Sequence, residues 1–99
     1  MATQSSVKEK TRTRLQEPKK YNVIMHNDDY TTMEFVTMIL MEIFRKSQAE
    51  ANQLIHIVHI TGKGIAGCYP YDIAVTKVSA ALERARQAGF PFRMTIEEA

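Results

Sequence analysis

The 99-residue sequence predicts a small α+β domain, in which a three-stranded antiparallel sheet packs against three helices in the order β-α-α-β-α-β. Three short segments rich in β-branched and aromatic residues lie at the start, middle and end of the folded part, as expected for strands. Between them, apolar residues recur with a helical period. The runs between the strands are too short for parallel crossovers throughout, which favours the α+β arrangement.

The first strand is predicted over residues 21–26, where β-branched and aromatic side chains precede a polar run. Thr31 and Glu34 have the spacing of a capping box, so the first helix is predicted to begin near Thr32. This helix is expected to continue to about residue 45. Its predicted apolar ridge consists of Met33, Val36, Leu40 and Phe44.

A second capping box, Ser47 and Glu50, opens a helix that is predicted to end near His59. Three glycines interrupt the pattern and leave a short strand over residues 65–69. Cys68 lies in this strand, and the prediction is a small buried residue and not a reactive thiol. Since it is the chain's single cysteine, an intramolecular disulfide and a cysteine zinc site are excluded.

The third helix is predicted between two residues that typically mark helix ends. Pro70 suits its first position, and Gly89 suits its C-terminal cap. Alternation over residues 92–96 then predicts the last strand.

Charge divides the chain into two parts. Residues 1–20 carry six basic and two acidic side chains, a net charge of +4, and are almost free of large apolar residues. They are predicted to form a disordered basic tail before a core domain over residues 21–99, whose net charge is −2. The tail lacks interleaved aromatics and the core is acidic, so nucleic acid is not predicted as a partner. No apolar run approaches the roughly twenty residues of a membrane span and no secretory signal is evident, so the predicted location is the cytoplasm.

The run after the first strand indicates a binding site. Asn27, Asp28 and Asp29 place an amide and two carboxylates between a strand and a helix. Met33 and Val36 would lie beside them on the first turn of that helix. An anionic edge next to an apolar surface suits a ligand that is cationic at one point and apolar beside it. Taken alone, the three polar residues would indicate a turn with a helix cap.

The residues around this run resemble the ClpS family, small bacterial adaptors that deliver substrates with N-degrons to a Clp AAA+ protease. An N-degron is an amino-terminal residue that marks a protein for degradation. The resemblance covers residues 21 to about 97. It is carried by Asn27-Asp28-Asp29-Tyr30-Thr31 with Met33-Glu34-Phe35-Val36, by Val58-His59 with Gly62-Lys63, by Thr76-Lys77-Val78, and by Pro91-Phe92.

The resemblance implies that Asn27, Asp28 and His59 bind the α-amino group of the substrate's first residue, with Asp29 acting by charge more than by contact. An α-amine has a reference pKa of about 7.7–8.0, so near neutral pH it is mostly a cation with three donors. A carboxylate, an amide oxygen and a neutral imidazole nitrogen would supply three acceptors.

The resemblance also implies an apolar pocket for the first side chain, formed by Thr31, Met33, Val36, Ile55, Val58 and Phe92. Ile55, Val58 and His59 have the spacing i, i+3, i+4, which places them on one helix face. Three positions depart from the family's common pattern. Thr32 replaces a proline, Ile55 replaces a methionine and Phe92 replaces a leucine, so side-chain preference is less defined than amine binding.

For the protease partner, the resemblance implies docking of the N-terminal domain of a ClpA- or ClpC-type unfoldase around the third helix. Asp72, in place of a Glu, and Lys77 match the residues used there, although such residues alone would be a solvated charged face. The unfoldase would engage the basic tail. A monomer without cofactor or metal is expected.

Two other classes of function remain open from the residues alone. Paired carboxylates with a histidine suit general acid–base catalysis, but no nucleophile, metal cage or phosphate loop accompanies them. A ribosomal or nucleic-acid accessory module would fit the fold and the tail, but the acidic core opposes it. His56 and His59 at i, i+3 are a weak metal motif, because a structural zinc site needs four defined ligands. His26 is predicted to be a surface residue of the first strand.

Overall fold

The computed structural model describes residues 19–99, which form three strands and three helices in the predicted order. The strands are β1 (Lys20–His26), β2 (Lys63–Pro70) and β3 (Arg93–Glu98), and the helices are α1 (Met33–Glu42), α2 (Gln48–Thr61) and α3 (Tyr71–Ala88). β1 is central and pairs with both neighbours in antiparallel orientation, giving the sheet order β2-β1-β3. The predicted α+β class is therefore confirmed.

The predicted tail over residues 1–20 lies outside the described residues, apart from its last two positions. Lys20 is already the first residue of β1. Within residues 19–99, no helix combines the length and the hydropathy that a membrane crossing requires.

The helices cover one face of the sheet. Val23 and Met25 of β1 point into this core, and Met25 pairs with Met94 on β3. The opposite face carries Ile24 and His26, because successive strand residues alternate between faces. The candidate site lies at the carboxyl end of β1, beside α1 and α2.

Packing against the sheet confirms most of the predicted ridge but not its first residue: Leu40 and Phe44 are buried and Val36 packs against the core. Phe35 and Ile39 are buried together with Leu40, whereas Met33 is 67% exposed. Because Phe35 faces the core, Met33, two residues earlier on the helix, faces the solvent.

The helix caps agree with the predictions in two places and differ in two. The Ser47–Glu50 capping box is present, with both reciprocal bonds formed, at 3.1 and 2.8 Å. Gly89 ends α3 with a left-handed φ of 78°, as predicted. The box predicted for Thr31 and Glu34 is wrong, because Thr32 is the N-cap of α1 and accepts a 3.2 Å bond from the N–H of Phe35. Pro70 is the N-cap of α3 and not its first helical residue.

α1 ends at Glu42, three residues before the predicted end. The ammonium of Lys77, on α3, donates a 2.6 Å hydrogen bond to the carbonyl of Ile43, which follows the helix. The same ammonium lies 5.9 Å from the ring centroid of Phe44 and 5.1 Å from that of Tyr69. A cation at a helix C-terminus neutralises the negative end of the dipole, so Lys77 stabilises the packing of α1 on α3.

Cys68 is exposed, so the prediction of a buried residue is wrong. It pairs with Asn22 of β1, and residues at this position point to the face of the sheet that the helices do not cover. A register shift between Val23 and Ile24 in the β1–β2 pairing sets which residues of β2 face each side.

Candidate functional site

A cavity of about 410 Å³ opens at the carboxyl end of β1, between the first turn of α1 and the C-terminal half of α2. Eight of its lining residues belong to the predicted site, namely Asn27, Asp28, Thr31, Met33, Val36, Ile55, Val58 and His59. Residues that lie up to 32 positions apart in the sequence therefore share one cavity.

Asp28 is held in one orientation by the turn that leads into α1. Its Oδ1 accepts hydrogen bonds from the backbone N–H groups of Tyr30, at 2.8 Å, and Thr31, at 2.7 Å. Its Oδ2 accepts a 2.8 Å bond from the hydroxyl of Thr31. Burial raises the pKa of Asp28, but these bonds outweigh it, so the net pKa lies below the usual value and the side chain stays ionised.

The polar end of the cavity is assembled by one backbone contact. The N–H of Asn27 donates a 2.9 Å bond to the carbonyl of Gly62, which caps α2 with a left-handed φ of 93°. His59 lies three residues before this cap, in the last turn of α2. The contact therefore joins the last turn of α2 to the end of β1, and His59 lines the same cavity as Asn27 and Asp28.

The apolar part of the cavity comes from α1, α2 and β1. Val58 is buried, and Val36 and Ile55 are half-buried and pack against the core cluster. Met25 of β1 closes the base. Met33 stands exposed at the mouth, so the cavity has a buried floor and one movable side chain at its rim.

Two predicted site residues do not belong to the cavity lining in the described part of the chain. Asp29 is exposed and lies next to the lining residue Asp28. Phe92 is 7% exposed, and its ring packs edge-on against Phe35, with centroids 5.9 Å apart. Phe92 therefore belongs to the hydrophobic core behind the site and not to the cavity wall.

Four lining residues were not among the predicted site residues: Met25, His26, Asn52 and His56. A helical period could have identified two of them, because Asn52 lies three residues before Ile55 and His56 lies three residues before His59 on α2. The sequence contained no comparable signal for Met25, whose role depends on which face of β1 the helices cover.

His26 connects the cavity to the open face of the sheet. Its Nε2 shares a 2.7 Å hydrogen bond with the hydroxyl of Thr95 on β3. Burial lowers the pKa of His26, and the nearby charges of Arg93 and Lys63 lower it further, while Glu97 raises it. The predicted surface residue is thus half-buried, and its neutral form is favoured.

The three histidines of the chain all line this cavity. Within residues 19–99, however, no group of three or more His, Cys, Asp or Glu side chains is arranged to hold a metal ion. Among the described residues, no third side chain joins His56 and His59 to form a set of metal ligands.

The residues predicted to dock the unfoldase lie apart from the cavity, on α3. Asp72 is exposed in the first turn. Lys77 is half-buried, and its ammonium already bonds the carbonyl of Ile43. Only Asp72 of the two is thus a free surface charge.

Comparisons with known proteins agree with this geometry. The family model described as "ATP-dependent Clp protease adaptor protein ClpS" matches residues 16–95. Proteins named ATP-dependent Clp protease adapter protein ClpS are similar along most of their length. The one from Clostridium acetobutylicum is 48% identical over 90% of this chain and 88% of its own, and the one from Herminiimonas arsenicoxydans is 52% identical over 86% and 83%.

A solved structure is also similar. The structure of Agrobacterium tumefaciens ClpS2 bound to L-phenylalaninamide superimposes with a TM-score of 0.80 at 37% identity, covering 84% of this chain and 100% of that one.

Proposed function

This chain belongs to the ClpS family of adaptors for the ATP-dependent Clp protease, and we propose that its cavity binds the first residue of polypeptides with a free α-amine and a large apolar side chain. The observation that carries the proposal is one cavity with an ionised Asp28 at one end and the apolar surface of Val36, Ile55 and Val58 at the other. The ligand in the Agrobacterium tumefaciens structure, L-phenylalaninamide, combines a free amine with an aromatic side chain.

The amine is recognised by three acceptors. Oδ1 of Asp28 already accepts two hydrogen bonds, whereas Oδ2 accepts one and keeps a free lone pair. We assign this oxygen to the α-ammonium, together with the amide oxygen of Asn27 and a neutral ring nitrogen of His59. Asp29 contributes its charge from outside the lining.

The side chain of the first residue fills the apolar part of the cavity. Fully burying a side chain such as that of Leu or Phe is worth about 1.5–3 kcal/mol, so Leu, Phe, Tyr and Trp are the expected first residues. Thr31 and Met33 border the entrance. Phe92 influences the pocket through the core behind it, since it packs on Phe35.

A peptide series tests this proposal. Peptides that begin with Leu and carry either a free or an acetylated amino terminus are titrated by fluorescence anisotropy. Acetylation removes a charged donor, so affinity is expected to fall at least about tenfold. Equal affinities of the two forms would show that the α-amine is not recognised. A second series, with Leu, Phe, Ser or Asp first, measures the contribution of the side chain.

For delivery, we propose that the chain acts as a monomer in the cytoplasm and docks the N-terminal domain of a ClpA- or ClpC-type unfoldase through α3. The exposed carboxylate of Asp72 provides the docking contact and Lys77 supports the surface from within. The basic residues of segment 1–20 would be the part that the unfoldase engages. Co-purification of the unfoldase domain with the full chain tests this step.

Acid–base catalysis by the carboxylates and His59 has less support. The relatives are named adapters and not enzymes. The proposed function is therefore binding and delivery, and cleavage is left to the protease.

A further inference from the structure

A second groove continues from the cavity along the surface between α1 and α2. It has a volume of about 620 Å³ and shares two lining residues, Met33 and Asn52, with the cavity. The groove is therefore separated from the cavity only by side chains common to both. Further along, it is lined by Thr37, Met38, Met41 and Gln48, with Glu34 and Glu42 at its edges.

The floor of this groove is made of exposed methionines. Met38 is 37% exposed and Met41 is 39% exposed, and both project from α1 into water. Methionine has an unbranched, polarisable side chain that adapts to different apolar partners, and exposed methionines are typical of surfaces that bind varied sequences. Thr37 offers no free hydroxyl proton, because it donates to the carbonyl of Met33. Apolar contact is the interaction that the groove supports best.

We propose that this groove binds residues two to five of the polypeptide whose first residue occupies the cavity, and that it favours an apolar side chain among them. The inference deepens the proposed function and rests on it. Continuity with the cavity favours this occupant, since a chain held at its first residue can leave across Met33 and Asn52, the lining that the two sites share.

The dimensions agree with this assignment. From Met33 to Met41 the helix rises about 12 Å, at about 1.5 Å per residue. An extended peptide covers this distance in about four residues, at about 3.3 Å each. At the far edge of the groove, Glu42 forms an exposed ion pair with Arg84, with a 2.9 Å separation, so its charge is partly compensated there.

NMR chemical-shift mapping on the full chain separates the groove from the cavity. Leucinamide, which has one residue, is expected to shift the amides of Asp28, Ile55 and His59 only. A five-residue peptide that begins with Leu and has a second Leu at position four is expected to shift Met41 and Gln48 as well. Shifts confined to the cavity with both ligands would overturn the groove proposal. If neither ligand produces shifts, the proposed function fails first and the groove proposal with it.

Affinity measurements on variants provide the second test. In the unchanged protein, a Leu placed at one of positions two to five is expected to tighten binding about fivefold over an all-Ser sequence at those positions, with Leu first in both. Met41→Gln is expected to remove most of this preference while leaving leucinamide binding unchanged, because Met41 does not line the cavity. Ile73→Gln, an exposed apolar residue of α3, is the matched control and should keep the preference.

Two results would contradict the proposal. One is an unchanged preference in a folded Met41→Gln protein. The other is groove shifts that grow with protein concentration in the absence of peptide, since these would assign the groove to a second copy of the chain.

Discussion

Replacing Asp28 with Asn removes one negative charge from the cavity while keeping the size of the side chain. The amide oxygen can still accept the backbone N–H groups of Tyr30 and Thr31, so the turn before α1 should be retained. The amide nitrogen, however, replaces Oδ2, the acceptor proposed for the α-ammonium. Losing a hydrogen bond between charged groups costs about 1.5–3 kcal/mol, which corresponds to binding weaker by about tenfold to about 150-fold.

The assay is fluorescence anisotropy with a labelled peptide that begins with Leu, together with a thermal unfolding curve for each variant. Asp29→Asn is the matched control, because it removes the same charge from a neighbouring exposed carboxylate. Exposed charge pairs are worth about 0.2–1 kcal/mol, so the control should weaken binding by less than about sixfold. If Asp28→Asn and Asp29→Asn weaken binding equally in folded proteins, the direct contact assigned to Asp28 is wrong.

Three further outcomes are expected. Met33 at the mouth of the cavity should press on a branch at the ligand's Cβ, so Ile-first peptides should bind more weakly than Leu-first ones. Met33→Ala should narrow this difference in affinity in the same assay. Equal binding of both peptides by the unchanged protein would show that Met33 does not select against branched first residues. Because the folded-state pKa of His26 is lowered from 6.5, its contribution to stability is present above about pH 6.5 and is lost as the pH falls through the folded-state pKa; His26→Gln should flatten this part of a plot of Tm against pH, and an unchanged slope would refute the assignment. Asp72→Asn should reduce co-purification with the unfoldase domain, leave peptide affinity unchanged and lower Tm only slightly, because a carboxylate in the first turn of a helix is worth about 0.3–1 kcal/mol. Lys77→Met should lower Tm because it removes the hydrogen bond to Ile43. Loss of peptide binding by folded Asp72→Asn would show that the two surfaces are not separate.

Features determined by neighbouring residues were predictable from the sequence. The Ser47–Glu50 box needs only two side chains and the backbone between them, so its spacing was sufficient. The cap at Gly89 depends on one residue that tolerates a left-handed φ. That Asn27 and His59 line one cavity was predictable for a different reason, since the resemblance to the family supplied a long-range proximity that no local pattern contains.

Choices between neighbouring residues were not predictable in the same way. Thr31 and Thr32 both suit an N-cap, and the outcome depends on Asp28, which engages the hydroxyl of Thr31 and leaves Thr32 to cap α1. The exposure of Cys68 follows from the register shift in the β1–β2 pairing. The sequence of β2 alternates too little between apolar and polar residues to predict such a shift. Phe92 was assigned to the pocket wall, yet its ring contacts Phe35, because the position of α1 over the sheet decides which aromatic faces the cavity.

α1 lies between the cavity and the helix that is proposed to dock the unfoldase. At its N-terminus, the Asp28–Thr31 turn and Met33 form the mouth of the cavity. Just beyond its C-terminus, the carbonyl of Ile43 is bonded by Lys77 from the helix proposed to dock the unfoldase. A charge reversal at Lys77 would place a carboxylate against that carbonyl and change the position of α1. A loss of docking in such a variant could then come either from a lost contact with the unfoldase or from the moved helix. Asp72, which is exposed and bonded to no helix end, is therefore the residue whose replacement isolates docking from substrate binding.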